Sequence, residues 1–303
     1  MLFSPKFSII IPSCNEGIWL EKTVRGVLEN TNYPDFEIIV IADACTDNST
    51  DFLKKKKIPN VKLIETSSIF GAMKTRNMGA KEAEGTLLVF IDSHEIPQKE
   101  NWLSSLAKEL QNEKVGAVSL KIPHLEEKDR IGYIYTIENW ALEPTWIVPN
   151  NLNSVQQTPA IPGGCFGIQK KVFEKLDGFD EGLKLWGRED FEFSLRIWRA
   201  GYDLVFSPKS AIAHSYDRKR NFEISYQEVD YNTIRTALLL FSEKYVQKVF
   251  AAIKKTRPES LSSIIDAVKK SPDFYQRKNN LDRQSIRSFE EYIETFSKFL
   301  PKN

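Results

Sequence analysis

Residues 86–94 read Thr-Leu-Leu-Val-Phe-Ile-Asp-Ser-His, and this stretch constrains the chain more than any other. Leu87 to Ile91 is a short apolar run, the pattern of a strand buried on both faces. It ends abruptly in Asp92 and His94, two metal-capable side chains. Their i, i+2 spacing puts both on one side of an extended backbone. Open α/β sheets bind their ligands at the carboxyl ends of such strands. Taken alone, the stretch reads equally well as a solvated strand end, so the sequence around it decides.

Strand and helix patterns alternate through the first half. Phe7–Ile11 reads as a buried strand stopped by Pro12, and Leu20, Val24, Val27 and Leu28 recur at helical spacing. Glu37–Ala42 and Val61–Ile64 read as strands, with Asp47, Asn48 and Ser49 as a helix cap between them. Gly71–Glu84 predicts a helix, Trp102 to Leu110 another, and Val115–Ile122 a strand. This alternation predicts an α/β fold, a mostly parallel sheet covered by helices on both faces. Polar residues then fall at three strand ends: Asn15 with Glu16, Asp43, and Asp92 with His94. In a parallel sheet those ends converge on one crevice. Each residue alone reads as well as a turn or cap.

No Gly-x-Gly-x-x-Gly follows the first strand, and there is no Gly-Lys-Ser/Thr loop. A dinucleotide-binding or P-loop enzyme is therefore disfavoured. A formal net charge of +1 gives no broad pull toward nucleic acid or membrane. No apolar run approaches the ~20 residues of a membrane-spanning helix. The opening Met-Leu-Phe-Ser-Pro-Lys lacks a signal peptide's apolar core. Cys14, Cys45 and Cys165 fit neither a zinc knuckle nor a disulfide framework. They read as free thiols, so a cytoplasmic setting is expected, with attachment at a membrane surface as the alternative.

Residues 123–160 read as irregular, with Trp140 and Trp146 as core anchors or cleft walls. Pro162-Gly163-Gly164-Cys165-Phe166-Gly167-Ile168 suggests close backbone approach to a ligand or helix. Trp186-Gly187-Arg188-Glu189-Asp190 leads into a helix, where a start-of-helix role for the two carboxylates is the plain reading. Asp203–Phe206 reads as a strand, Ala211–His214 as another apolar approach to a histidine, and His124 as a loop residue without a role. From about Ser225 onward the chain reads as helices, with Ile234, Leu238, Phe241, Tyr245, Val249 and Ile253 as one apolar stripe. That stripe suits packing onto the preceding domain, or a seam between two copies.

Taken together, the motifs resemble those of GT-A-fold glycosyltransferases of family 2, and within it the catalytic domain of polypeptide N-acetylgalactosaminyltransferases. The resemblance rests on Ile11-Pro12-Ser13-Cys14-Asn15-Glu16, on Asp43 with its acidic neighbour Asp47, and on Thr75-Arg76-Asn77-Met78-Gly79. It continues through Asp92-Ser93-His94, where most of the family carries Asp-x-Asp, and through Asn139-Trp140, Trp146 and Gly163 to Ile168. It runs on from Trp186 to Trp198 and to Ala213-His214, then fades near Tyr245, covering about four fifths of the chain.

The resemblance implies a GT-A catalytic domain over residues 1–224, with a nucleotide-sugar half to about 122 and an acceptor half from about 123. A helical extension occupies 225–303. It implies a UDP-sugar donor and an acceptor hydroxyl on a peptide or glycan. It also implies a divalent cation, Mn2+ with Mg2+ as the alternative, held by Asp92, His94 and His214. Pro12, Asn15, Glu16, Asp43, Arg76, Asp92, Ser93, Gly163, Gly164 and Trp186 would surround the nucleotide sugar, Asp43 reading uracil. The polypeptide transferases, which retain anomeric configuration, carry Glu-Asn after Trp-Gly-Gly. This chain has Arg188-Glu189-Asp190, and Glu-Asp is the pair of inverting members. Asp190 is then expected as the general base and Glu189 as a donor or acceptor contact, with stereochemistry open. A nucleotidyltransferase on the same fold and a catalytically silent nucleotide-sugar-binding module are the competing readings.

Overall fold

The two-residue alternation of the apolar strands decides which helices cover which face. The computed structural model describes residues 5–127, 129–216 and 223–302. β1 (Phe7–Ser13), β2 (Phe36–Ala42), β3 (Val61–Glu65) and β4 (Leu87–Ile91) run parallel in the order β3-β2-β1-β4. Along β1, Ile9 and Ile11 face one apolar cluster and Ile10 the other. Val89 and Ile91 divide from Leu88 and Phe90 in the same way on β4. These side chains are fully buried, each contributing about 1.5–3 kcal/mol by leaving water.

The sheet extends past β4 through an antiparallel strand. β5 (Glu95–Pro97) turns off the end of β4, and β6 (Val115–Pro123) carries the short partner β7 (Ile131–Gly132). β8 (Ile134–Ile137) and β9 (Pro144–Ile147) form a separate antiparallel pair, and β10 (Gln156–Gln157) lies on the sheet edge. β11 (Cys165–Gln169) fits antiparallel between β4 and β6, and β12 (Asp203–His214) runs parallel to β6. β12 also pairs with β5, which brings His214 opposite Glu95.

One face is covered by α1 (Ile18–Glu29) and, beyond the short α2 (Asp51–Lys55) and α3 (Ala72–Glu82), by α4 (Trp102–Leu110). The other face holds α3, α5 (Lys170–Lys175) and α6 (Glu189–Arg199). α7 (Tyr226–Leu240), α8 (Glu243–Thr256), α9 (Leu261–Lys269), α10 (Phe274–Gln284) and α11 (Phe289–Thr295) share one apolar cluster with α5 and α6. The C-terminal helices thus pack into the same core as the sheet. No helix among the described residues is long and apolar enough to cross a membrane.

Several expectations are corrected. Pro12 does not stop β1, which runs on to Ser13. Pairing with β4 ends at Ile10, so a residue without an N–H at position 12 breaks no ladder there. Asp47–Ser49 is a loop, and α2 starts beyond it behind Thr50. Residues 123–160 contain β7 to β10, because Ile131 to Ile137 and Pro144 to Ile147 supply residues that suit paired strands. The Gly163–Ile168 segment continues as strand β11. Asp203–His214 is one strand with an irregularity between Ser207 and Ala211. The stripe from Ile234 to Ile253 is shared by two helices, broken where Phe241 turns extended. Its residues are buried within this chain apart from half-buried Leu238.

Candidate active site

Four strand ends and two helix starts meet in one crevice. β4 delivers Asp92, Ser93 and His94, and β12 delivers His214. The Nε2 atoms of His94 and His214 face each other at 3.1 Å, and His214 Nε2 lies 3.6 Å from Asp92 Oδ2. One ligand atom from each of the three residues falls within 4.8 Å of the others. Adjacent ligands of an octahedral ion, each at about 2.1 Å, stand roughly 3 Å apart, so this spacing fits a single divalent cation. Two imidazoles with one carboxylate suit a transition metal better than a purely oxygen-loving ion.

The shell behind the cluster orients it. Glu16 is buried at the end of β1, with Oε2 3.4 Å from His94 Nδ1. A carboxylate there favours a proton on Nδ1 and leaves Nε2 free for a metal. Glu95 Oε2 accepts from the Asp92 amide at 3.1 Å, and the Asp92 amide also reaches the Gly164 carbonyl at 3.1 Å. Burial, with the charge of Asp92 beside it, pushes the Glu95 carboxyl well up. A Cβ on Gly164 would stand 2.7 Å from Glu95 Oε1, which accounts for glycine there. At Gly163 the neighbours lie at ordinary distances, so space does not explain that glycine. His124 is buried, bridges to His214 in the sheet and stacks on Tyr216, which corrects its reading as a loop residue without a role.

Arg76 links the cluster to α6. Its guanidinium, 3% exposed, pairs with Asp92 at 3.1 Å and Glu189 at 2.9 Å and donates to the Gly163 carbonyl at 3.1 Å. Burial opposes its charge, but the two carboxylates outweigh that and raise its pKa. Burial would likewise raise Asp92, yet His214, Arg76 and His94 hold it well below the usual carboxylate range. Glu189 is engaged by Arg76 and by the Gly187 amide, both at 2.9 Å. Asp190 turns the other way, accepting from the Phe191 amide at 2.7 Å and from the Tyr135 hydroxyl. Burial and the neighbouring Glu189 charge push Asp190 up to about 6. A carboxylate with that pKa is suited to take a proton near neutral pH.

Tyr135 is the site residue that sequence reading missed. It sits on β8, inside the stretch expected to be irregular, and Trp146 of β9 packs edge-on to it at 5.1 Å. The β-prone Ile134-Tyr135-Thr136-Ile137 could have signalled the strand, but nothing in it signals the contact with Asp190. Three other expected residues also make bonds within the fold. Asn15, at φ 53, accepts from the Thr46 and Asp47 amides at 2.7 and 3.2 Å. Asp43 accepts from the Phe70 and Gly71 amides, both at 2.8 Å, and so shapes the loop before α3. Trp186 is half-buried, its carbonyl bonded to Asn232. Pro12 lies within β1 and Ser93 is buried in the turn after β4.

The α/β sheet thus carries an acidic and imidazole cluster at its strand ends, with a carboxylate at a helix start beside it. The sequence matches glycosyl transferase family 2 over residues 8–177, more than half of the chain. It also matches the N-terminal domain of galactosyltransferase over residues 149–221. The chain belongs to glycosyl transferase family 2. It is 29% identical over 262 residues to polypeptide N-acetylgalactosaminyltransferase 12 of Mus musculus, covering 79% of this chain and 44% of that protein. It is 30% identical over 307 residues to polypeptide N-acetylgalactosaminyltransferase 14 of Homo sapiens, covering 95% and 54%. The chain therefore spans about half the length of these curated relatives. Among solved structures, GalNAc-T7 with UDP, GalNAc and Mn2+ matches with a TM-score of 0.80 at 24% identity, covering 97% of this chain and 58% of that one. S. aureus TarS 1-349 in complex with UDP-GlcNAc matches at 0.62 and 15% identity, covering 97% and 92%. Both likenesses establish a shared fold.

Proposed function

We propose that this chain is a divalent-metal-dependent glycosyltransferase that moves a hexose or N-acetylhexosamine from a UDP-sugar to a hydroxyl of a peptide or glycan acceptor, with inversion. The observation that carries the reading is the convergence of Asp92, His94 and His214, joined through Arg76 and Glu189 to the start of α6. Similar folds bound to UDP with GalNAc and Mn2+, or to UDP-GlcNAc, support the donor class and the cation. Mn2+ is the expected ion, with Mg2+ second, because two of the three ligands are imidazoles. Bound there, the ion would offset negative charge on the diphosphate of the departing nucleotide.

The chain's own residues do the rest. Glu16 orients His94 for the ion. Arg76 keeps a positive charge in the crevice where the diphosphate must sit, and it holds Asp92 ionised. Asp190 accepts the proton of the acceptor hydroxyl as that oxygen attacks the anomeric carbon. Tyr135 and the Phe191 amide aim the Asp190 carboxylate by donating to one oxygen each, and a remaining lone pair accepts from the acceptor hydroxyl.

Retention is the second reading, favoured by the kinship to polypeptide N-acetylgalactosaminyltransferases. The test is UDP release from UDP-glucose, UDP-galactose and their N-acetylated forms, with Mn2+ or with chelator, in the presence of peptide and oligosaccharide acceptors. Metal-dependent transfer from one donor supports the proposal. Tight UDP binding without transfer to any acceptor would sink it in favour of a binding module. The anomeric configuration of the first product, read by NMR, separates inversion from retention.

A further inference from the structure

Asn232 lies on α7, outside every motif that carries chemistry, and is fully buried. A buried amide is costly unless it is bonded. This one is bonded on all sides to a single turn. Its Oδ1 accepts from the Lys184 amide at 2.6 Å. Its Nδ2 donates toward the carbonyls of Lys184, Trp186 and Gly187 at 3.0, 3.2 and 2.9 Å. The next residue, Thr233, accepts from Arg188 Nε at 3.3 Å. One face of α7 thus grips the backbone from Lys184 to Gly187 and the side chain of Arg188.

The turn needs that grip. Gly187 and Arg188 both have left-handed backbones, at φ 96 and 72, and Arg188 carries a side chain that disfavours this conformation. The turn leads directly into the site. The Gly187 amide bonds Glu189, Glu189 bonds Arg76, and Arg76 bonds Asp92. A shift of Gly187 would therefore move Glu189 and Asp190 at the head of α6.

We propose that Asn232 is a positioning residue of the transferase site, which fixes the turn that aims Asp190 and the Glu189–Arg76 pair. This rests on the function proposed above. It makes the C-terminal helices part of the catalytic apparatus, through one side chain that never touches substrate.

The test compares Asn232→Ala and Asn232→Asp with wild type and with Asp273→Asn. Asn232→Asp keeps the volume and the acceptor for the Lys184 amide, but it turns an oxygen toward three carbonyls. It guards against a cavity effect in the alanine variant. Asp273→Asn weakens a neighbouring ion pair to Arg235 without touching the turn. Both Asn232 variants are expected to lose about 10²-fold in kcat, the effect of small misplacements of reacting groups. Mn2+ affinity should stay near wild type, because the sheet holds its ligands, and amide hydrogen exchange over residues 184–190 should quicken. Asp273→Asn should lower the melting temperature and keep kcat. Unchanged kcat in a folded Asn232 variant overturns the proposal. So does an equal kcat loss in Asp273→Asn at a matched fall in melting temperature. If wild type transfers no sugar at all, the transferase reading has failed, and exchange alone judges Asn232. Unchanged protection of the turn then overturns its role, and quickened exchange sustains it.

Discussion

The two sides of the crevice are held in opposite ways. Asp92, His94 and His214 stand at the ends of β4 and β12, and the sheet's own hydrogen bonds set their places. Asp190 and Glu189 open α6, where no ladder holds them. Their places come from side chains far away in sequence: Arg76 on α3, Tyr135 on β8 and Asn232 on α7. In the proposed reading, the metal side is held by secondary structure, and the acceptor side only by packing and buried hydrogen bonds. A site built in this way can keep its donor chemistry while the acceptor side changes, because substitutions on β8, β9 or α7 leave the strand ends in place.

The sharpest test of the metal side is Asp92→Ala. It removes one of the three candidate metal ligands and one partner of buried Arg76. Turnover should fall by about 10⁴-fold, in line with the several kcal/mol that a bound cation contributes to such a step. Mn2+ binding should vanish in calorimetry. Arg76 keeps Glu189, so circular dichroism should still report the wild-type fold. Persistent Mn2+ binding would move the ion elsewhere.

Asp190→Asn is the matching test of the acceptor side. It keeps the shape and removes the base, so kcat should drop by about 10³-fold, within the range that general bases contribute. Mn2+ and UDP affinities should not change, which separates the two sides. Full activity in this variant would exclude inversion through Asp190 and bring the retaining reading forward.

The same contrast explains what the sequence could disclose. The apolar run Leu87 to Ile91, closed by Asp92 and His94, is local, and both its strand and its polar end are readable from period-two sterics and spacing. The continuous apolar runs in β1, β2 and β4 likewise reveal a sheet buried on both faces. Tyr135 was illegible as a site residue because nothing near it in sequence points to Asp190, 55 positions away. Asn232 was illegible for the same reason. Its partners lie 45 to 48 positions upstream. β11 was hidden because an antiparallel strand inserted between β4 and β6 leaves no mark in a pattern that otherwise reads as parallel units. Asp43 illustrates a further limit. Its type and place suit a base-reading carboxylate, and its additional bonds to the Phe70 and Gly71 amides depend on a loop whose path is not written locally.

A smaller effect tests whether the metal side is tuned from behind. Glu16→Gln replaces the carboxylate 3.4 Å from His94 Nδ1 with a neutral amide. Mn2+ affinity should weaken by roughly 10–100-fold, the usual cost of losing a partner behind a ligating histidine. With saturating Mn2+, kcat should return close to wild type. If affinity is unchanged in a titration, Glu16 serves β1 and α1 alone.

The smallest effect is the most specific to the acceptor side. Burial and Glu189 raise Asp190 to about 6, Tyr135 and Phe191 lower it by hydrogen bonds, and Arg188 lowers it through its charge. The base must be ionised to accept a proton, so kcat/KM of wild type should fall as pH drops through about 6. Tyr135→Phe removes one lowering contact and leaves the burial and the Glu189 charge in place. The acid limb of kcat/KM should then move to higher pH, since the ionised form has lost a donor that favoured it. At pH well above the limb the variant should recover most of its rate, apart from what is lost when the carboxylate is no longer aimed. A limb that stays put in Tyr135→Phe would mean that a different group controls the acidic side. A limb that disappears in Asp190→Asn but persists in Tyr135→Phe at higher pH would assign the titration to Asp190 and its restraint to Tyr135.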